Sequence, residues 1–474
     1  MRVADVIHGL TGQYPPHGGQ EPITAAVIDS RRATPGSLFI ALRGEHHDGH
    51  DFVADAFARG ARLALVHREV PDCPTLDLRG GFDPATWDAF QLPGCLRVAN
   101  TRRGLQTLAR NWRRRLPDLR VVGITGSVGK TSTKELVAQV LAQRYRVLKN
   151  PGNYNNEIGL PLTLLHARPE HQWAVLEMGF YVPGDIALLC DIAQPHIGVV
   201  TNVGMVHAER AGSQEAIAQG KAELVEALPP QGAAVLNYDD PWVRGMAGRT
   251  AARVFFYGLS PEADLWASQV EGLGLDGIRF VFHYRGEAVP VHLPLLGRHA
   301  VQLALRAAAV GLLAGLDWPD LLRGLRADQA QLRVMTVSTP QGALVIDDTY
   351  NAAPQSMLAA LNLLADIQGR RKIAILGDML ELGPYAEAGH EMVGARAAEV
   401  VDYLLTFGPL ARRMAQAARR AGLPAARVAA FDADQVDALV AHARRLLGPD
   451  DVVLVKGSRG MRMERIVAAL EASP

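Results

Sequence analysis

The sequence predicts an α/β protein in three domains: a small mixed α/β N-terminal domain, a central, mostly parallel sheet with an antiparallel excursion, and a C-terminal Rossmann-like domain. Three observations carry this. At 474 residues the chain is roughly three times the ~150 residues usual for one domain. From Val121 to about Asp328, β-branched runs alternate with stretches whose apolar residues recur at helical spacing, as strands joined by crossover helices do. A second alternation of the same kind starts near Gln329. The expected boundaries are 1–117, 118–328 and 329–474.

Composition narrows the class. Hydrophobic residues make up 48% of the chain, and Lys+Arg and Asp+Glu both number 49. Core material is ample and there is no net field to draw the protein to nucleic acid or a membrane, so any ligand is held by local chemistry. Cys73, Cys95 and Cys190 are too few and too scattered for a disulfide framework or a zinc site. The opening stretch MRVADVIHGLTGQYPP carries Asp5 and His8 without a continuous apolar core, and no apolar run reaches the ~18 residues of a membrane span. A cytoplasmic protein without membrane insertion is expected.

In the first domain, Ala26 to Phe52 reads as a short strand ending in Asp29-Ser30-Arg31, a Pro35-Gly36 turn and a second strand from Leu38 to Leu42. Ser30 and Arg31 are candidates for holding a phosphorylated or nucleotide-linked ligand. His46, His47 and His50 raise the question of a metal, but a loop without a partnered cysteine or acid cluster reads as solvated. Thr101 to Leu116 aligns Leu105, Leu108, Ala109, Trp112 and Leu116 on one helical stripe, with arginines elsewhere as a solvated face. Pro117-Asp118 marks the linker.

The central domain opens with VVGITGSVGKTSTKELVAQV, Val121 to Val140. A β-branched run enters a turn holding Gly126 and Gly129, and a helical pattern follows Lys130. Such a loop turns successive backbone N–H groups and the positive end of a helix toward one small volume, and glycine allows an anion close approach. Phosphate is the expected guest, with Lys130 reaching the β/γ-phosphates and the Thr131 hydroxyl ligating Mg²⁺. Ile124 stands where the general P-loop pattern has its first glycine, so this is a tighter variant. The strands Trp173–Met178, Ile197–Val203 and Ala233–Asn237 follow; Glu177, Thr201, Asn202 and His207 lie at or beyond strand ends, where ligands gather in such sheets. Ile278–Tyr284, after Asp276-Gly277, reads as an antiparallel strand at the edge, and Gly297 opens a helix through Ala314. In the last domain, strands at Ala343–Ile346, Lys372–Leu376, Tyr403–Phe407 and Val452–Val455 bring Asp347-Asp348, Gly377-Asp378 and Lys456-Gly457-Ser458-Arg459 to one sheet edge. No G-x-G-x-x-G follows any of them, so no dinucleotide site is read.

Together these residues resemble the Mur ligases, the ATP-dependent amino-acid-adding enzymes of peptidoglycan synthesis. The likeness rests on DSR at Asp29–Arg31, PGSLFIALRG at Pro35–Gly44, DGHDF at Asp48–Phe52, NYNNEIGLPLTLL at Asn153–Leu165, LEMG at Leu176–Gly179, TNVGMVHAE at Thr201–Glu209, IDDTYN at Ile346–Asn351, LGDMLELG at Leu376–Gly383 and KGSRGMRME at Lys456–Glu464. LGDMLELG and KGSR resemble the dipeptide-adding branch. The resemblance implies a central P-loop ATPase-like domain, ATP and Mg²⁺, and as partners the small molecules UDP-muramoyl tripeptide and D-Ala-D-Ala, acting on a monomer.

It also implies roles. Thr125, Gly126, Ser127, Val128, Gly129, Lys130, Thr131 and Ser132 would meet the nucleotide, with Asn202, Arg333, Asp348, Tyr350 and Asn351. Ser30, Arg31, Asn155, Asn156, Lys456, Ser458 and Arg459 would meet the other substrates. Lys130, Lys221, His207 and Glu177 would be catalytic, and Thr131, Glu177, His207 and Lys221 as a carbamate would form the metal set. Spacing alone makes Lys221 an ordinary helix-surface lysine; only the resemblance makes it a carbamate. The chain departs from the family's G-x-H-N-x-x-N at Gly297-Arg298-His299-Ala300-Val301-Gln302-Leu303, which lacks both asparagines. Rival readings are a folylpolyglutamate- or cyanophycin-type ligase, a nucleotide-switched binding protein, for which a guanine-reading N-K-x-D is absent, and a ligase that binds without turning over.

Overall fold

The computed structural model describes residues 1–204, 213–327, 335–369 and 371–472. Two compact units emerge: Met1–Gly123 with Tyr145–Gly179 and Asp185–His196, and Ile124–Arg144 with Phe180–Gly184 and Ile197–Pro474. The architecture is α/β, mostly parallel, with antiparallel excursions.

In the first unit, β1 (Ala26–Val27), β2 (Leu38–Ile40), β3 (Leu63–Val66), β4 (Thr75–Asp77) and β5 (Gly94–Arg97) form a wholly parallel sheet in the order β1-β2-β3-β5-β4. The LALV run of β3 is buried throughout, as a strand covered on both faces must be. The helix Thr101–Arg114 is capped by Asn100, whose Oδ1 accepts from the Arg103 N–H at 2.9 Å, and buries Leu105, Leu108, Ala109 and Trp112 as its stripe predicts. Its arginines are not all solvated: Arg113 is buried and donates to the carbonyls of Ala193 (3.0 Å) and Leu116 (2.8 Å).

The histidine-rich loop is structural. Asp48 caps the 3₁₀ turn Gly49–Phe52. The His50 Nε2 accepts from the His67 N–H at 3.0 Å, which leaves the ring proton on Nδ1, 2.6 Å from the Asp48 carboxylate. Partial burial pushes the Asp48 carboxyl up, but bonds from the His50 amide and ring and from Arg68 outweigh it and hold the group at about 2. A depressed folded-state pKa contributes stability that is present above the unfolded value of about 4 and is lost as pH falls toward 2. Asp48→Asn is therefore expected to destabilise the protein at neutral pH by about 1–2 kcal/mol, allowing for solvent screening. It should also flatten the acid limb between about pH 4 and 2; an unchanged acid limb in chemical denaturation would contradict this origin.

The strands that follow are β6 (Arg120–Thr125), β7 (Val147–Lys149), β8 (Trp173–Glu177), β9 (Ile197–Val200), β10 (Ala233–Asn237), β11 (Arg253–Gly258), β12 (Leu265–Gly272), β13 (Ile278–Tyr284) and β14 (Glu287–Leu293). Within the first unit β7 and β8 pair in parallel. Within the second, β9, β10, β11 and β12 run parallel and β12, β13 and β14 antiparallel, the edge excursion expected from the sequence. The third sheet, β15 (Met335–Ser338), β16 (Leu344–Asp348), β17 (Lys372–Gly377), β18 (Tyr403–Phe407), β19 (Val428–Phe431) and β20 (Val452–Lys456), has the order β15-β16-β20-β17-β18-β19. Only β15 is antiparallel. Among the described residues no helix is long and apolar enough to cross a membrane.

Candidate active site

The β6 strand ends in Thr125, and the loop Gly126 to Gly129 leads into the helix Lys130–Leu141. Gly126 has φ +145° and Gly129 φ +82°, conformations that cost a side-chain-bearing residue dearly. A side-chain carbon on Gly126 would also stand 1.8 Å from the Thr201 hydroxyl. The loop is braced from just beyond the end of β9. Asn202 accepts from the Val128 N–H (3.0 Å) and donates to the Val128 carbonyl (3.1 Å), the Thr201 hydroxyl donates to that same carbonyl (2.7 Å), and the Ser127 N–H donates to the Asn202 carbonyl (3.0 Å). The Ser127 hydroxyl accepts from the Gly204 N–H at 2.8 Å and donates to its carbonyl at 3.2 Å. The strand-end residues Thr201 and Asn202 thus meet the loop, as the sequence predicts, and Asn202 acts by shaping it.

Lys130 curls over its own loop, its Nζ donating to the carbonyls of Gly126 (2.8 Å) and Ser127 (3.3 Å). Thr131 and Ser132 form the first helical turn and are half-buried. Asn202→Ala removes two of the braces and leaves every loop amide and Lys130 in the chain; the expected result is about a tenfold weaker nucleotide affinity by calorimetry, the scale of about 1.4 kcal/mol for lost hydrogen bonds. Wild-type affinity in that variant would show the brace to be dispensable.

Lys221 lies in the helix Gln214–Glu226. It is not the surface lysine that spacing suggests: the residue is 0% exposed, and its Nζ has no hydrogen-bond partner among the described residues and sits 4.6 Å from the centre of the Phe180 ring. Gly220 makes this possible, since a side-chain carbon there would stand 2.0 Å from that ring. Burial, and then the charge of Lys130, push the Lys221 amine well below the ordinary lysine value.

At the carboxyl ends of the third sheet, Asp348 of β16 pairs in register with Lys456 of β20. The buried Lys456 Nζ lies 2.7 Å from Asp348 Oδ2 and donates to the Asn351 carbonyl at 2.8 Å, so its charge is matched within the protein. The Arg459 guanidinium lies over the Tyr350 ring, 5.1 Å from its centre, and the buried Ser458 hydroxyl accepts from the Leu380 N–H at 2.8 Å. These residues gather at one edge as expected. Asp378 joins them through its backbone, its carbonyl accepting from the Ser458 N–H at 3.0 Å, while its side chain turns away: Oδ1 accepts from the Ala411 N–H at 2.6 Å, at the start of the helix Ala411–Arg420. A side-chain carbon on Gly204 would stand 2.5 Å from Gln355 Oε1, so the helix Pro354–Asp366 abuts the residue that holds Ser127.

In the first unit, Glu177 ends β8 and is buried; its Oε1 accepts from Asn155 Nδ2 at 2.7 Å, and Asn150 bonds both its backbone N–H (2.9 Å) and carbonyl (3.1 Å). Asn156 Oδ1 accepts from the N–H groups of Ile158 (3.2 Å) and Gly159 (2.9 Å), so it opens the helix Gly159–Leu164. Ser30 is buried and Arg31 folds back on Asp29, Nε to Oδ1 2.9 Å and Nη2 to Oδ2 2.8 Å. His207 and Arg333 lie outside the described residues. Ala300 and Leu303, where asparagines were wanting, are buried apolar residues. The sequence reading missed Arg306, a buried arginine one face along from them whose guanidinium lies against Gly129. The available signal was a lone charge inside the apolar helix AVQLALRAAAVGLL.

Family models for the Mur ligase family catalytic domain, the Mur ligase middle domain and the Mur ligase glutamate ligase domain match residues 22–75, 124–311 and 332–459. A relative from Synechocystis sp., named UDP-N-acetylmuramoyl-tripeptide--D-alanyl-D-alanine ligase, is 37% identical across 94% of this chain and 91% of its own. The chain belongs to the Mur ligase family. This Mur ligase also resembles the crystal structure of MurF from Acinetobacter baumannii, with a TM-score of 0.84, 31% identity and 99% of both chains covered. For the MurF ligase from Thermotoga maritima in complex with ADP the TM-score is 0.78, with 28% identity over 94% of this Mur ligase and 97% of that chain.

Proposed function

We infer that this Mur ligase is an ATP-dependent carboxylate–amine ligase that adds D-alanyl-D-alanine to UDP-N-acetylmuramoyl tripeptide in peptidoglycan precursor synthesis. The observation that carries the reading is the braced phosphate loop that ends in Lys130, in a chain 37% identical, nearly end to end, to a ligase of that name.

Amide formation needs the carboxylate oxygen turned into a leaving group. The loop amides and Lys130 hold the triphosphate of ATP and offset the charge that moves in phosphoryl transfer. A tripeptide carboxylate oxygen attacks the γ-phosphorus and ADP departs, leaving an acyl phosphate. The dipeptide amine then attacks the acyl carbon, inorganic phosphate leaves, and the nitrogen loses a proton. Acyl phosphates hydrolyse readily, which favours a site closed to water. Residues 1–117 are proposed to bind the UDP end, 118–328 ATP, and 329–474 the dipeptide, in a monomer.

Among the described residues no three His, Cys, Asp or Glu side chains cluster as a ready metal site; the donor set proposed for Mg²⁺ is Thr131, Glu177, His207 and Lys221 as a carbamate. The orphaned, buried Nζ of Lys221 fits this. A neutral amine adds to CO₂, forming an N–C bond and releasing one proton, and a cation becomes a carboxylate. Bound there, Mg²⁺ supplies neutralisation of the triphosphate.

The test is phosphate release from ATP with UDP-muramoyl tripeptide, with and without D-Ala-D-Ala. Release requiring both is expected. Release with a folate acceptor instead would favour a folylpolyglutamate-type ligase, and release with ATP alone a nucleotide switch.

A further inference from the structure

Arg306 sits in the middle of the helix Ala300–Leu313, whose neighbours in the chain are alanine and leucine, and it is 6% exposed. Its Nε donates to the Gln302 carbonyl one turn back at 2.8 Å. Its Nη1 is buried and has no hydrogen-bond partner, and among the described residues no carboxylate pairs with it. Two acids that share the surroundings of Tyr257 with it, Asp239 and Asp240, are already engaged. Asp239 Oδ2 accepts from Gln302 Nε2 (2.7 Å) and the Leu259 N–H (2.8 Å), and Asp240 accepts from the N–H groups of Val203 (2.9 Å), Trp242 (3.0 Å) and Val243 (3.2 Å).

The guanidinium instead meets the phosphate loop at Gly129. Nη1 and Nη2 would be 3.1 and 3.6 Å from a side-chain carbon placed on Gly129, the residue that caps the helix Lys130–Leu141. An arginine keeps its charge even when buried, and a buried charge without a counter-charge destabilises the fold that holds it. A cation held unmatched beside an anion cradle is explained when the missing counter-charge is the ligand.

We propose that Arg306 is a second fixed cation of the nucleotide-phosphate site, reaching past Gly129 so that its charge, with that of Lys130, is balanced by the bound polyphosphate. This rests on the reading of the loop as an ATP site. Arg306 then binds through charge, so its effect grows with the number of phosphates on the nucleotide, whereas a merely structural arginine affects all nucleotides alike.

The experiment is calorimetric titration of the full chain with ATP, ADP and AMP in Mg²⁺ buffer, for wild type, Arg306→Met, Arg306→Gln and Arg306→Lys, with thermal melting in the absence of nucleotide. Arg306→Met, which keeps length and removes charge, should bind ATP ten- to hundredfold more weakly, ADP less affected and AMP least. Arg306→Lys should recover most of the affinity. Without nucleotide, Arg306→Met should melt no lower than wild type. Equal weakening for all three nucleotides, unchanged ATP affinity, or a lower melting temperature without selective loss would overturn the proposal; Arg306→Gln carries the same test should the methionine variant not fold. A wild type that fails to bind ATP would instead defeat the reading of the loop itself.

Discussion

Lys130→Met is expected to lower turnover by about a hundredfold or more while the protein melts at nearly the wild-type temperature. The magnitude follows from removing one preorganised charge from a site where negative charge is redistributed, worth about 3 kcal/mol of transition-state stabilisation. Folding should be largely spared because the loop's shape is held by Thr201 and Asn202, whose bonds remain when the Lys130 contacts to the Gly126 and Ser127 carbonyls are lost. Phosphate release at saturating ATP, tripeptide and dipeptide is the measurement. Turnover near the wild-type rate would remove Lys130 from the mechanism.

Lys221→Ala is expected to lose activity on the same scale, and to regain part of it when a short carboxylic acid such as acetate is added, because the shortened side chain leaves room for a free carboxylate where the carbamate would lie. In CO₂-depleted buffer the wild type should lose activity and recover it with bicarbonate. Unchanged rates in the alanine variant would rule the role out. A second measurement separates chemistry from folding. The folded-state value of Lys221 is depressed by burial and by Lys130, so below the ordinary lysine value of about 10.4 the unfolded chain binds the extra proton. Stability through this group therefore rises with pH across that window, and the penalty is greatest at low pH. Lys221→Met should be inactive yet at least as stable as wild type at neutral pH in buffer free of CO₂, with a flatter pH dependence.

Much of the frame was legible in the chain. Tyr403–Phe407, Ala233–Asn237 and Ile278–Tyr284 are strands to the residue, because each is a compact run of β-formers with turn residues at its margins. Where the reading overran, the site explains it. Ile197–Val203 looks like one strand, but pairing stops at Val200, since Thr201 and Asn202 turn their hydrogen bonds to the phosphate loop. The short strands Leu63–Val66, Thr75–Asp77 and Gly94–Arg97 escaped because segments of three or four residues are too short to carry a period of their own. Lys221 was misread for a related reason: helical spacing says which residues share a face, not that Phe180 lies over Gly220 and encloses the lysine. Arg306 gave a local signal that tertiary packing alone turns into a role.

The position of Lys130 bears on how readily ligand comes and goes. Its ammonium is already solvated by two peptide oxygens, at 2.8 and 3.3 Å, so an arriving phosphate exchanges one set of oxygen partners for another. The net gain in hydrogen bonding is small, and attraction between opposite charges carries the preference. The exchange also runs backward at low cost, so the residue serves as its own placeholder and spent nucleotide can depart without stranding a bare ammonium.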